Sequence, residues 1–231
     1  MTGIRTKRRA SLITDFLSHG KRGTLSTASG LHARKSQTHA AEQIVTATLL
    51  AKIWDQLGAA ATSRSPFNFL QLATAGLDGA PQLRTIVLRR CDATNGTLSF
   101  ITDMRSPKIR EIRNDPRVSL VGFDPAASVQ LRLSGVAAIS DDEAEKLEMW
   151  QSLRERTLIL FDAPHAPGTV LDDSGQPLQA GEPSDEEPYA RFALITVTLN
   201  RLEWLDLSPA NHVRCAFERQ GTTWHGAWLA P

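Results

Sequence analysis

From Phe67 onward the chain is punctuated by turn dipeptides, Asp78-Gly79, Asn95-Gly96 and Gln220-Gly221, set between short runs rich in β-branched residues. Such dipeptides supply the positive backbone φ that a tight hairpin needs, so they join antiparallel strands. The runs they bound are Phe67 to Thr74, Gln82 to Arg90 and Thr97 to Thr102, an antiparallel meander. Val118 to Phe123 and Val129 to Ile139 follow. In the second, Val129, Leu131 and Leu133 alternate with Gln130, Arg132 and Ser134, which predicts one buried and one polar face. Phe192 to Leu199, Arg201 to Leu207, His212 to Arg219 and Thr223 to Leu229 complete an antiparallel set. About eight strands with few helices make the expected fold mainly β, a barrel with helices packed outside it.

Three helices are expected. Ile44, Ala47, Leu50, Ile53, Trp54 and Leu57 recur at helical spacing, with Gly58 placed to close the element. Ser106-Pro107 opens a second helix over Lys108 to Asn114, ended by Asp115-Pro116, because Ser favours the N-cap and Pro the first helical position. Ser140-Asp141-Asp142-Glu143 reads as a capping box for a third, with Ala144, Leu147, Trp150 and Leu153 on one side. Between Pro164 and Pro188 there is little periodicity and many Pro, Gly and acidic residues, the pattern of a long mobile surface loop.

Residues 1–40 carry eight Lys and Arg against the single acid Asp15 and are rich in Ser, Thr and Gly. A transit peptide, a disordered arm and a mis-assigned start would all read this way. The expectation is an extension outside a single domain spanning residues 41–231. That body is mildly acidic, which argues against a nucleic-acid surface, and no apolar run approaches the roughly 20 residues a membrane helix needs. No membrane association is expected. Two cysteines, Cys91 and Cys215, do not make a disulfide framework, so a reducing, cytoplasmic compartment is expected. Without C-x-x-C or H-E-x-x-H spacing, no metal site is expected.

The chemistry concentrates in two consecutive strands. Arg84 shares a strand face with Ile86 and Leu88, a cation beside an apolar wall that suits a phosphorylated planar ligand. The next strand ends at Thr102, and within six residues comes a helix start bearing Ser106 and Lys108. Free N–H groups and the positive end of the helix dipole make such a start a phosphate seat.

These stretches, Arg84-Thr85-Ile86-Val87-Leu88-Arg89 and Ile101-Thr102 to Lys108, resemble the R-x-V-L-L-K and Y-T-x-x-x-S-R-K signature of the pyridoxamine 5'-phosphate oxidase family. The resemblance continues through Val129 to Gly135. It resumes where Glu203-Trp204-Leu205-Asp206 to Arg214 is similar to F-W-Q-G-x-x-x-R-L-H-D-R and Trp224 to Pro231 to W-x-x-x-R-L-x-P. It implies a split β-barrel that binds flavin mononucleotide (FMN), with Arg84 and Lys108 at the phosphate, Thr102 and Ser106 adding hydroxyl contacts, and Thr85 to Arg89 and Ile101 along the flavin. Gln130 matches the family's ring-contacting glutamine, and Trp204 and Arg214 its C-terminal cofactor residues. A homodimer with FMN between the subunits is implied as well.

The departures fall on the substrate side. Ala210 stands where the family has the arginine of R-L-H, while His212 remains as a substrate-side candidate; Pro107 replaces a basic residue and Arg89 a lysine. The wording W-L-D-L-S-P-x-x-H-x-R is closer to a side branch of FMN-binding proteins within the superfamily. The resemblance implies an FMN-dependent oxidoreductase acting on a small molecule. A flavin- or haem-binding module without turnover is the other reading, since related split barrels include such proteins.

Overall fold

A computed structural model describes residues 28–178, 187–208 and 212–231, with side chains from residue 42. Contacts divide the chain into Met1–Ile53 and Trp54–Pro231. The second unit carries the strands and the candidate site.

Its strands are β1 (Phe69–Ala75), β2 (Pro81–Asp92), β3 (Thr97–Asp103), β4 (Arg117–Asp124), β5 (Val129–Ile139), β6 (Phe192–Asp206), β7 (Val213–Gln220) and β8 (Thr223–Leu229). They form one antiparallel sheet in the order β3-β2-β1-β4-β5-β6-β7-β8, and β3 also pairs with β6. That extra pairing closes six strands into a barrel, and β7 and β8 extend from it as a flap. The split-barrel expectation holds. Closure leaves the barrel strands without a free edge, and their alternation sends Leu70, Leu72, Leu120, Leu131, Leu133 and Leu202 inward, all essentially inaccessible.

Several local readings are corrected. The two strands expected on either side of Asn200 are one, β6, because a bulge absorbs the extra residue: Arg201 lies opposite Ser134 and Leu199 opposite Gly135, leaving Asn200 unopposed. Helix α1 (Ala28–Thr62) begins inside the segment expected to lie outside the fold and runs past Gly58, since Ala59-Ala60-Ala61 is a strong helix-forming run. Its buried residues include Ile53, Trp54, Leu57 and Ala60, whereas Ile44 is exposed. Asn68 donates from Nδ2 to the Ala60 carbonyl at 2.6 Å, tying the helix end to the start of β1.

Helix α2 (Pro107–Asn114) starts where expected. Helix α3 (Glu143–Ser152) is capped by Asp142, whose carboxylate accepts from the N–H groups of Ala144 and Glu145, and not by Ser140, whose hydroxyl donates to Glu145 at 2.9 Å. Met149 is its buried residue, and Ala144 and Leu147 are exposed. Trp150 packs edge-on against Phe161, Tyr189 and Phe192 in an aromatic cluster that also takes in Ile101 and Leu153. Within the long loop, Val170 and Leu178 pair across a small hairpin, and residues 179–186 lie outside the described residues.

Candidate functional site

Arg84 faces the barrel interior because it lies opposite Leu72 in the β1–β2 register, one step along from the buried Ile86 and Leu88. It does not stand alone there. One terminal nitrogen donates to Glu111 Oε2 at 2.7 Å and the other to Thr74 Oγ1, whose hydroxyl in turn donates to the same carboxylate oxygen at 2.6 Å. Glu111 reaches this point from α2, three residues beyond Lys108. That i, i+3 spacing puts both side chains on one helix face.

Lys108 donates from Nζ to Thr102 Oγ1 at 2.8 Å and to Ser106 Oγ at 2.7 Å. Ser106 therefore spends its hydroxyl on the lysine and makes no side-chain cap to the helix. Burial lowers the Lys108 pKa, the nearby Arg84 guanidinium lowers it further, and Glu111 and Asp103 act in the opposite sense. Two cations sharing a partly desolvated space are held together at a cost, which an anion seated between them would relieve. The structure thus unites Arg84, Thr102, Ser106 and Lys108 at the start of α2.

The other expected residues fall elsewhere. Thr85 and Val87 point to the outer face of β2, where Thr85 donates to Gln71 Oε1 at 3.0 Å. Ile101 faces the aromatic cluster. Arg89 occupies a bulge opposite β3; its Nε is buried without a hydrogen-bond partner among the described residues, and burial and then Arg154 lower its pKa. Gln130 and Arg214 flank Leu205 in one cross-strand row on the outer face, whereas Trp204 lies on the opposite face between Leu131 and Cys215. His212 is exposed, and Ala210 lies outside the described residues. Among the described residues no group of three or more His, Cys, Asp or Glu is placed to hold a metal ion, and no helix is long and apolar enough to cross a membrane.

Sequence reading missed Glu111, Thr74 and Glu203, the partners that fix the arginines. Glu111 was legible from its spacing to Lys108; the others depend on strand register. An open groove lined by Met104, Ile112, Arg113, Ser140 and Lys146 contains none of the expected site residues.

A profile of the pyridoxamine 5'-phosphate oxidase family matches residues 57–172, from the end of α1 into the long loop. The chain belongs to this family. It is 29% identical over 196 residues to the pyridoxine/pyridoxamine 5'-phosphate oxidase of Anaeromyxobacter dehalogenans, spanning 79% of this chain and 94% of that one. Pyridoxine/pyridoxamine 5'-phosphate oxidase 2 of Arabidopsis thaliana is 28% identical over 149 residues, 61% of this chain and 74% of the other. Among solved structures, a pyridoxamine 5'-phosphate oxidase-related, FMN binding protein of Nostoc punctiforme superposes with a TM-score of 0.62 at 26% identity, covering 78% of this chain and 96% of its own.

Proposed function

We propose that this protein binds FMN and serves as an FMN-dependent oxidoreductase for a small molecule. The observation that carries the reading is the meeting of Arg84 and Lys108 with the hydroxyls of Thr102 and Ser106 at the start of α2. The donor set fits a phosphate monoester: one guanidinium, one ammonium, two hydroxyls and a helix N-terminus, with the second nearby carboxylate, Asp103, already paired with Arg105. Ile86 and Leu88 continue the same face into the barrel core.

FMN bound here supplies the two-electron chemistry, and the protein supplies its placement. Arg84 is held by Glu111 and Thr74 before any ligand arrives, so little side-chain entropy is lost on binding. Lys108 is likewise fixed by two hydroxyls.

Gln130 and Arg214 stand on the outer face, so they meet a flavin seated at Arg84 only if a second copy contributes them. A homodimer with FMN at the subunit interface satisfies both halves of the site. The outer face supports this: Leu83, Phe69 and Phe123 are exposed on β2, β1 and β4, and Phe123 lies directly opposite Gln130.

The test is direct. The purified protein should bind FMN with quenched fluorescence, and Arg84→Ala with Lys108→Ala should fold but lose it. Bound flavin should then be reduced by an amine or nicotinamide donor; a yellow protein that none of these reduces would be the non-catalytic module instead. Failure of the wild type to bind FMN, or preferential binding of haem, would overturn the proposal.

A further inference from the structure

Glu203 is a carboxylate almost sealed from solvent, 6% exposed, on the outer face of β6. Its Oε2 accepts from Arg214 Nε at 3.0 Å and from the Arg214 NH2 nitrogen at 2.5 Å, while Oε1 accepts from Arg201 Nε at 2.8 Å. A third guanidinium, Arg132 on β5, comes within 3.7 Å of Oε2. The register explains the convergence. Glu203 lies opposite Arg132 on one side and Ala216 on the other, and Arg214, two residues from Ala216, shares that face. Burial works to raise the Glu203 pKa, but the hydrogen bonds from Arg214 and Arg201 prevail and hold it below the usual range.

The carboxylate of Glu203 holds Arg214 through two nitrogens at once. It commits Nε and NH2 of Arg214, whose NH1 makes no hydrogen bond among the described residues. Leu205 separates Arg214 from Gln130 in the same row, which places this guanidinium beside the other polar group expected at the flavin ring.

We infer that Glu203 is the positioning residue for Arg214 in the flavin site, fixing the guanidinium so that NH1 remains to donate and offsetting its charge beside the ring. The inference rests on the reading that Arg214 contacts the cofactor. Two effects follow from removing the carboxylate's charge. The guanidinium loses its fixed orientation, which weakens FMN binding, and its charge is no longer offset, which favours the more negative reduced flavin and raises the midpoint potential.

The experiment uses the full chain with FMN, comparing wild type, Glu203→Gln, Arg214→Ala and the double variant by fluorescence-quenching titration and dye-coupled redox titration, with thermal melts as the check on folding. Glu203→Gln is expected to weaken FMN about tenfold and raise its potential. In the Arg214→Ala background the same change should do neither, because a residue acting through Arg214 has nothing left to act on. Glu203→Asp, which keeps the charge but shortens the reach, should weaken binding with the potential near wild type; it serves if the glutamine variant does not fold. Equal effects of Glu203→Gln in both backgrounds would overturn the inference and assign Glu203 to strand stability alone. So would unchanged affinity and potential in Glu203→Gln while Arg214→Ala weakens binding. If Arg214→Ala binds FMN like wild type, or wild type binds none, the reading of the site itself fails and the inference falls with it.

Discussion

Arg84 on β2 and Glu111 on α2 are joined at 2.7 Å, with Thr74 of β1 bonded to the same carboxylate oxygen. The side chains are 22% and 8% exposed, so the pair is largely desolvated. Breaking such a pair leaves a buried charge uncompensated, which costs about 3–5 kcal/mol. Glu111→Ala should therefore lower the urea midpoint with m unchanged. FMN should restore part of the loss by giving Arg84 an anion, so the variant's melting temperature should rise more with FMN than that of the wild type.

On the proposed FMN reading, Lys108 should make the affinity for the cofactor depend on pH. Its pKa is lowered by burial and then by Arg84, so it loses its proton at lower pH than an ordinary lysine. The charged form is the one that holds phosphate. Affinity should be full below this lowered pKa and fall as pH rises through it, earlier than an unperturbed lysine would allow. Lys108→Arg, whose guanidinium stays charged, should abolish that alkaline limb in binding titrations. Lys108→Met should abolish it too, by holding the affinity at the wild type's alkaline level across the whole range.

How much of this was legible in the sequence depended on whether the cause was local. Lys108, Ser106 and Thr102 lie within six residues across a strand end and a helix start, and they meet as local geometry dictates. Asp78-Gly79 and Asn95-Gly96 marked β1 to β3 because a tight turn needs those residues wherever it occurs. Asn200 misled, because a bulge is decided by the partner strand, and β5 was invisible from within β6. Glu203 was missed for the same reason, since its partner Arg214 arrives through register from 11 residues away; Glu111 was open to a local reading through its i, i+3 spacing to Lys108, although its partner Arg84 lies 27 residues away. The outward placement of Gln130 follows from the alternation already read in its own strand, whereas that of Arg214 depended on a register that only the closed barrel defines.

The β5–β6 bulge offers a separate stability test. A Cβ on Gly135 would overlap the Thr198 carbonyl oxygen and crowd the Leu199 Cα, both backbone atoms that cannot rotate away. Gly135→Ala should destabilise the barrel by about 1–3 kcal/mol, read in urea unfolding. Gly221→Ala provides the contrast. It removes a residue at φ +61° in the β7–β8 turn with nothing within 4 Å, so its cost is backbone strain alone. The first change should also broaden the resonances of β5 and β6, and the second should leave them unaffected.

The proposed homodimer would rest on the outer face of β1, β2 and β4. Phe69 is 58% exposed, Leu83 69% and Phe123 47%, and Phe69 lies opposite Val87 in the β1–β2 register. Apolar side chains gathered on one sheet face beside the Gln130 row are what an interface core requires, and a stable one buries on the order of 1,200–2,000 Å² in all. Phe123→Asp places a charge on that face without touching the barrel interior. On the proposed homodimer, light scattering behind size exclusion should find the wild type dimeric and the variant monomeric. Because Gln130 and Arg214 would then be lost to the neighbouring copy's site, its FMN affinity should fall by about tenfold or more although Arg84 and Lys108 are intact. A monomeric wild type that binds FMN as tightly as the variant would show that one chain holds the cofactor alone.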